Sequence, residues 1–156
     1  MSGVDPRQRL AALGLTLPPV ATPAGSYVPA VRFGDQVYVS GQLPLADDGK
    51  LLATGKVGAE VTPERARELA ARCALNALAA IDHLVGLAAV ARIVKVTGFV
   101  ASAPGFTGQP GVVNGASDLF GEVFGEAGRH ARAAVGVSEL PLGSPVEVEV
   151  IAGLAG

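Results

Sequence analysis

The stretch from Thr62 to Gly86 limits the possible folds of this 156-residue chain more than any other. Thr62-Pro63-Glu64 carries the start signals of a helix: a hydroxyl at the N-cap, proline at the first helical position and an acid beside the positive end of the dipole. Leu69, Cys73, Ala77, Ile81 and Leu84 then recur at intervals of three and four, a single apolar stripe that runs to Gly86, a residue suited to ending a helix. Such a stripe has to be covered by another layer, and the flanking segments supply strands. Residues 31–33 and 36–40 flank the Gly34-Asp35 turn as a hairpin, and 92–102 is a β-branched run read as a strand in the middle of a sheet. Gly98 within that run predicts close approach of another backbone.

Residues 103–111 read as a glycine-rich loop, 112–126 as a second helix burying Leu119, Phe120, Val123 and Phe124, and 131–137 and 146–151 as two more strands. The order ββ, α, β, α, ββ predicts an α+β layer, a mixed β-sheet with two helices packed on one face. Before it, 5–14 read as a short helix, so that 1–24 form a helix and a Pro-rich connector and 25–156 a single domain. Residues 42–61 read as a connector in which Asp47-Asp48-Gly49 is a turn; it lacks the further ligands of a calcium loop. The chain is long enough for one core and too short for two.

Composition narrows the function. Twelve Lys and Arg against fourteen Asp and Glu, with 4% aromatic residues, do not suit a nucleic-acid binder, which needs clustered cations and stacking rings. The lone Cys73 excludes an internal disulfide and fits a reducing, cytoplasmic setting; on the helix stripe it reads as core. His83 and His130 are too far apart for a metal pair, so no metal or cofactor is expected. Arg7, Arg9 and the apolar residues after them faintly resemble a secretory signal, but Asp5, Thr16 and Pro18-Pro19 interrupt it. At 49% hydrophobic and 17% charged, with mean hydropathy +0.42, the chain is unusually apolar, yet no run approaches the ~18 to 20 apolar residues of a membrane span. Either much of its surface meets a partner, or it is poorly soluble.

Two features carry chemistry. In the last strand Val146, Val148 and Val150 alternate with Glu147 and Glu149, which places both carboxylates on one face. They are either a solvated face or charged guards of an edge strand, or a general acid/base at a pocket. Arg132 is a lone cation in a strand of small and apolar residues and requires an anion, since an unpaired buried charge is costly. Glu147 or Glu149 would serve, as would the carboxylate of a substrate held in a bidentate fork. His130 beside it reads as a strand-start histidine with a satisfied hydrogen bond, or as a proton shuttle. Gly105, Gly108 and Gly111 lack the residues of a phosphate loop and read as a flexible rim.

Val37-Tyr38-Val39-Ser40-Gly41-Gln42-Leu43-Pro44, then His130-Ala131-Arg132, then Leu140-Pro141 and Val146-Glu147-Val148-Glu149-Val150-Ile151-Ala152 together resemble the RidA/YjgF family of reactive-intermediate deaminases. The resemblance spans about Gly25 to Ala152. It implies a chorismate-mutase-like fold, a homotrimer with a ligand site in each cleft between subunits, and hydrolysis of enamines and imines such as 2-aminoacrylate to a 2-keto acid and ammonia, without metal or cofactor. By position it implies that Arg132 holds the substrate carboxylate and that Glu147 positions or deprotonates water. Tyr27, Ser40 and Asn114 match pocket positions, the backbone at Ala134 is placed to contact ligand, and His130 and Glu149 are further candidates. Many members carry cysteine at the position of Ala134 and proline at that of His130, and the connector and glycine-rich loop are longer here than in short members, which points to a longer branch. A non-catalytic trimer that binds a small carboxylate metabolite is the alternative. The endoribonuclease activity attributed to parts of the family fits the acidic composition less well.

Overall fold

The computed structural model describes Gly3 and residues 5–156; Met1, Ser2 and Val4, from the start of the expected N-terminal segment, lie outside the described residues. Its elements are α1 (Pro6–Ala12), β1 (Ala30–Phe33), β2 (Gln36–Gln42), α2 (Pro63–Val85), β3 (Val90–Ala101), α3 (Gln109–Phe124), β4 (Ala131–Val137) and β5 (Val146–Leu154). In α2 the Thr62 hydroxyl accepts from the Arg65 N–H at 3.1 Å, a cap worth about 1 kcal/mol. Leu69, Cys73, Ala77 and Ile81 are buried as their spacing predicts, but Leu84 is 41% exposed. Gly86, at φ +82°, turns the chain at that point, and Leu87 takes the buried position instead. The second helix starts at Gln109 rather than 112, because Pro110 sits in the first turn, where its missing N–H costs nothing.

The sheet has the order β1-β2-β5-β3-β4, with β3 and β4 parallel and the other pairs antiparallel. The parallel pair is connected through α3, the crossover that such a pair requires. Helices α2 and α3 cover one face, onto which Val146, Val148 and Val150 of β5 and Val96 and Val100 of β3 project. The opposite face carries Tyr38, Phe99, Val135 and Ile151 together with Glu147 and Glu149, and has no covering helix. Because β5 lies between β2 and β3, the two glutamates guard no sheet edge, contrary to that expectation.

Packing is close where small residues face each other. A Cβ on Gly98 would collide with the side chain of Val113 on α3, so the close approach predicted there is made by a helix side chain and not by a backbone. A Cβ on Gly115 would meet the Arg67 carbonyl of α2, which fixes the contact between the two helices. The short helix expected over 5–14 is α1: it lays Leu10 into the same core and pairs Arg7 with Asp82 of α2 at 2.5 Å. The connector before α2 is tied down by Asn76, whose amide donates to the carbonyls of Leu43 and Leu45 at 3.0 and 3.2 Å. No helix among the described residues is long and apolar enough to cross a membrane.

Candidate functional site

Arg132 enters β4 opposite Val96, which orients its side chain to the helix-covered face, at the sheet's edge beside α3. There Nη1 donates to Asn114 Oδ1 at 2.8 Å and to Ser117 Oγ at 3.2 Å, and Nη2 donates to the Pro110 carbonyl at 3.3 Å. Asn114 and Ser117 stand one helical turn apart, so both present to the same neighbour. All three acceptors are neutral, and Arg132 takes part in none of the ion pairs among the described residues. A part-buried guanidinium is therefore held in place by hydrogen bonds to neutral groups, with no carboxylate of the described residues in ion-pair contact. It borders a cleft of about 520 Å³ with Ser117, Asp118, Glu122, Arg129 and His130 on its walls.

His130 is fully hydrogen-bonded: Nδ1 lies 2.6 Å from the Gly128 carbonyl and Nε2 lies 2.9 Å from Ser117 Oγ. Burial, and to a lesser degree the Arg132 charge, pull its pKa below 6.5, while the Gly128 carbonyl pulls the other way. It is thus the satisfied strand-start histidine of the sequence reading, with Arg132 as its neighbour through Ser117.

Glu147 is opposite Phe99 on the uncovered face. It lies over Gly41, at a bulge in β2 where the register with β5 shifts between Val39 and Gln42; any side chain at 41 would overlap its carboxylate. Desolvation first, and the neighbouring Glu149 second, raise its pKa above 4.5. That shift favours a carboxylate able to accept and return a proton nearer neutrality. Glu149 is exposed on the same face, opposite Thr97. Nearby, the Ser40 hydroxyl donates to the Val28 carbonyl at 2.6 Å, and Tyr27, half exposed, accepts the Ala24 N–H at its hydroxyl at 3.2 Å. Tyr27 and Gly41 share a smaller pocket of about 160 Å³.

The candidate residues therefore form two groups. Arg132, Asn114, Ala134 and His130 lie on the helix side of the sheet edge, with Ala134 opposite Gly98; Glu147 and Glu149 lie on the uncovered face, near Tyr27 and Ser40. Arg132 does not pair with Glu147 or Glu149, because alternation along the strands puts them on opposite faces, two strands apart. Two further residues gain a role from the structure. Ser117 was detectable as the residue one turn after Asn114, whereas Gly41 gains meaning only from the bulge. Cys73 is fully buried, and desolvation holds its thiol well above the ordinary range, so it is an inert core residue.

The family profile described as "YjgF/chorismate_mutase-like, putative endoribonuclease" matches residues 7–154. The chain is 48% identical over 141 residues to Protein TCP17 of Trypanosoma cruzi, covering 89% of this chain and 88% of that protein. It is 29% identical over 137 residues to the 2-iminobutanoate/2-iminopropanoate deaminase of Dermatophagoides farinae, covering 88% and 92%. Among crystal structures, protein Atu1372 of Agrobacterium tumefaciens superposes with a TM-score of 0.87 at 44% identity, over 96% of this chain and 91% of that one.

Proposed function

This chain belongs to the YjgF/chorismate mutase-like family, and from that membership we propose that it hydrolyses small 2-enamine and 2-imine carboxylates of the 2-aminoacrylate type to a 2-keto acid and ammonia. The observation that carries the reading is the Arg132 guanidinium, anchored by three neutral acceptors and in ion-pair contact with no carboxylate among the described residues. A substrate carboxylate supplies the missing charge in the geometry a guanidinium prefers. The same class of substrate is named for the Dermatophagoides relative.

The chemistry asks little of the protein. 2-Aminoacrylate becomes 2-iminopropanoate when C3 gains a proton and nitrogen loses one. Water then adds to C2: Glu147 takes a proton from the water as the C–O bond forms and the imine electron pair moves to nitrogen. Return of that proton to nitrogen gives the carbinolamine; nitrogen then gains a second proton as the C2 hydroxyl gives up its own, by way of Glu147, and the C–N bond breaks, releasing ammonia as the C2 carbonyl of pyruvate forms. Orientation by Arg132 and proton transfer by Glu147 are the two contributions, the second worth roughly 10²- to 10⁴-fold.

Since Arg132 and Glu147 lie on opposite faces of one sheet, the working site is read as one shared between copies, Arg132 from one and Glu147 from its neighbour in a homotrimer. The uncovered sheet face supports this: Phe33 is 82% exposed and Val31, Tyr38 and Val135 are also open to solvent, an apolar area suited to another copy. The test is coupled release of pyruvate and ammonia from enzymatically generated 2-aminoacrylate, with acceleration over buffer as the expected result. No acceleration, with pyruvate still bound, leaves a metabolite-binding protein. Cleavage of RNA that persists through purification and is lost in Arg132→Ala would instead favour a nuclease.

A further inference from the structure

Ser117 and His130 have no part in the reaction above, yet their hydrogen bonds leave only one order of protons. The Gly128 carbonyl can only accept, so its 2.6 Å contact puts a proton on His130 Nδ1. In the neutral ring Nε2 is then a bare acceptor, and the Ser117 hydroxyl donates to it at 2.9 Å. Burial, helped by the nearby Arg132 charge, favours that neutral ring. With its proton committed, Ser117 Oγ turns a lone pair to Arg132 Nη1 at 3.2 Å. The imidazole is itself braced edge-on by Phe120, the rings 5.9 Å apart and 89° to each other.

The consequence falls on the guanidinium. Nη1 donates to Asn114 and Ser117, and Nη2 to the Pro110 carbonyl. Nε–H and the second Nη2 proton have no acceptor among the described residues. We propose that Ser117 and His130 are positioning residues that lock Arg132 so that its Nε/Nη2 edge faces a substrate carboxylate. The proposal rests on the reading of Arg132 as the carboxylate anchor. It gives the histidine at this position a specific task, ordering the serine that holds the arginine.

The test uses pyruvate as the binding probe, by calorimetric titration, alongside steady-state deamination of 2-aminoacrylate. Ser117→Ala and His130→Ala are expected to weaken pyruvate binding and raise KM about five- to tenfold, the scale of one ordinary hydrogen bond lost while Asn114 and Pro110 still hold the arginine, with kcat changed less than about twofold. Ser117→Thr keeps the hydroxyl and His130→Gln keeps an acceptor, so both are expected to recover most of the affinity. Nitrogen NMR of the imidazole should show the Nδ1-protonated tautomer in the wild type, and still in Ser117→Ala, because the Gly128 carbonyl fixes it. If Arg132→Ala abolishes pyruvate binding while Ser117→Ala and His130→Ala bind as wild type, the positioning role is wrong and the anchor stands. An Nε2-protonated wild-type ring also overturns it. If Arg132→Ala binds pyruvate normally, the anchor reading itself fails.

Discussion

The arginine half and the glutamate half of the site hang from the same sheet, yet their surroundings are unlike. Arg132 is gripped by three acceptors from the first turns of α3, and one of those, Ser117, is in turn ordered by His130. Glu147 lies half-buried on the uncovered face, where desolvation first and a second carboxylate next raise its pKa and no hydrogen bond shifts it the other way. The first arrangement is finished inside one chain. The second fits a group whose remaining partners come from elsewhere, which is why a charge held so loosely can sit on a largely apolar face. On the proposed reading, orientation is built into the fold and proton transfer is completed by assembly.

Variants on the two sides should fail differently. Arg132→Ala is expected to give the largest loss, at least about 10²-fold in kcat/KM with pyruvate binding abolished, because one interaction orients substrate and transition state alike. Its melting temperature should move little, since Asn114 and Ser117 can turn to water. Glu147→Gln should lower kcat by about 10²-fold while pyruvate binding stays near wild type; equal losses in binding would erase the distinction between the halves. Gly41→Ala pushes a methyl into the Glu147 carboxylate and should reduce kcat by about tenfold, again with pyruvate binding unchanged.

The smallest effect is on stability. The folded chain holds the Glu147 proton more tightly than the unfolded chain, so ionising it destabilises the fold as pH rises through the raised pKa. Glu147→Gln is therefore expected to melt slightly above wild type at neutral pH, and the gap should close in acid, where both states are protonated. A gap that widened in acid would reverse the sign of the burial argument.

Much of this was legible in the sequence because it depends on local rules. Caps and periodicity place α2, and strand alternation puts Glu147 and Glu149 together on one face, as found. The neighbours of Arg132 were not legible. Whether it meets Glu147 or α3 depends on strand order, and the sequence pattern of β4 is the same beside either. Leu84 failed for a similar reason: its spacing is right, but at the end of the helix Val85 and Leu87 pack on the core in its place. Ser117 has no distinguishing pattern until α3 is laid against β4.

The central claim is that one site draws its arginine and its glutamate from different copies. Co-expression of Arg132→Ala and Glu147→Gln chains, each inactive alone, tests it directly. Random mixing of equal amounts gives about one site in four with both native residues, so the account predicts recovery of about a quarter of wild-type activity. Mixed oligomers with no recovered activity would contradict it, because a site contained in a single chain is broken in every copy.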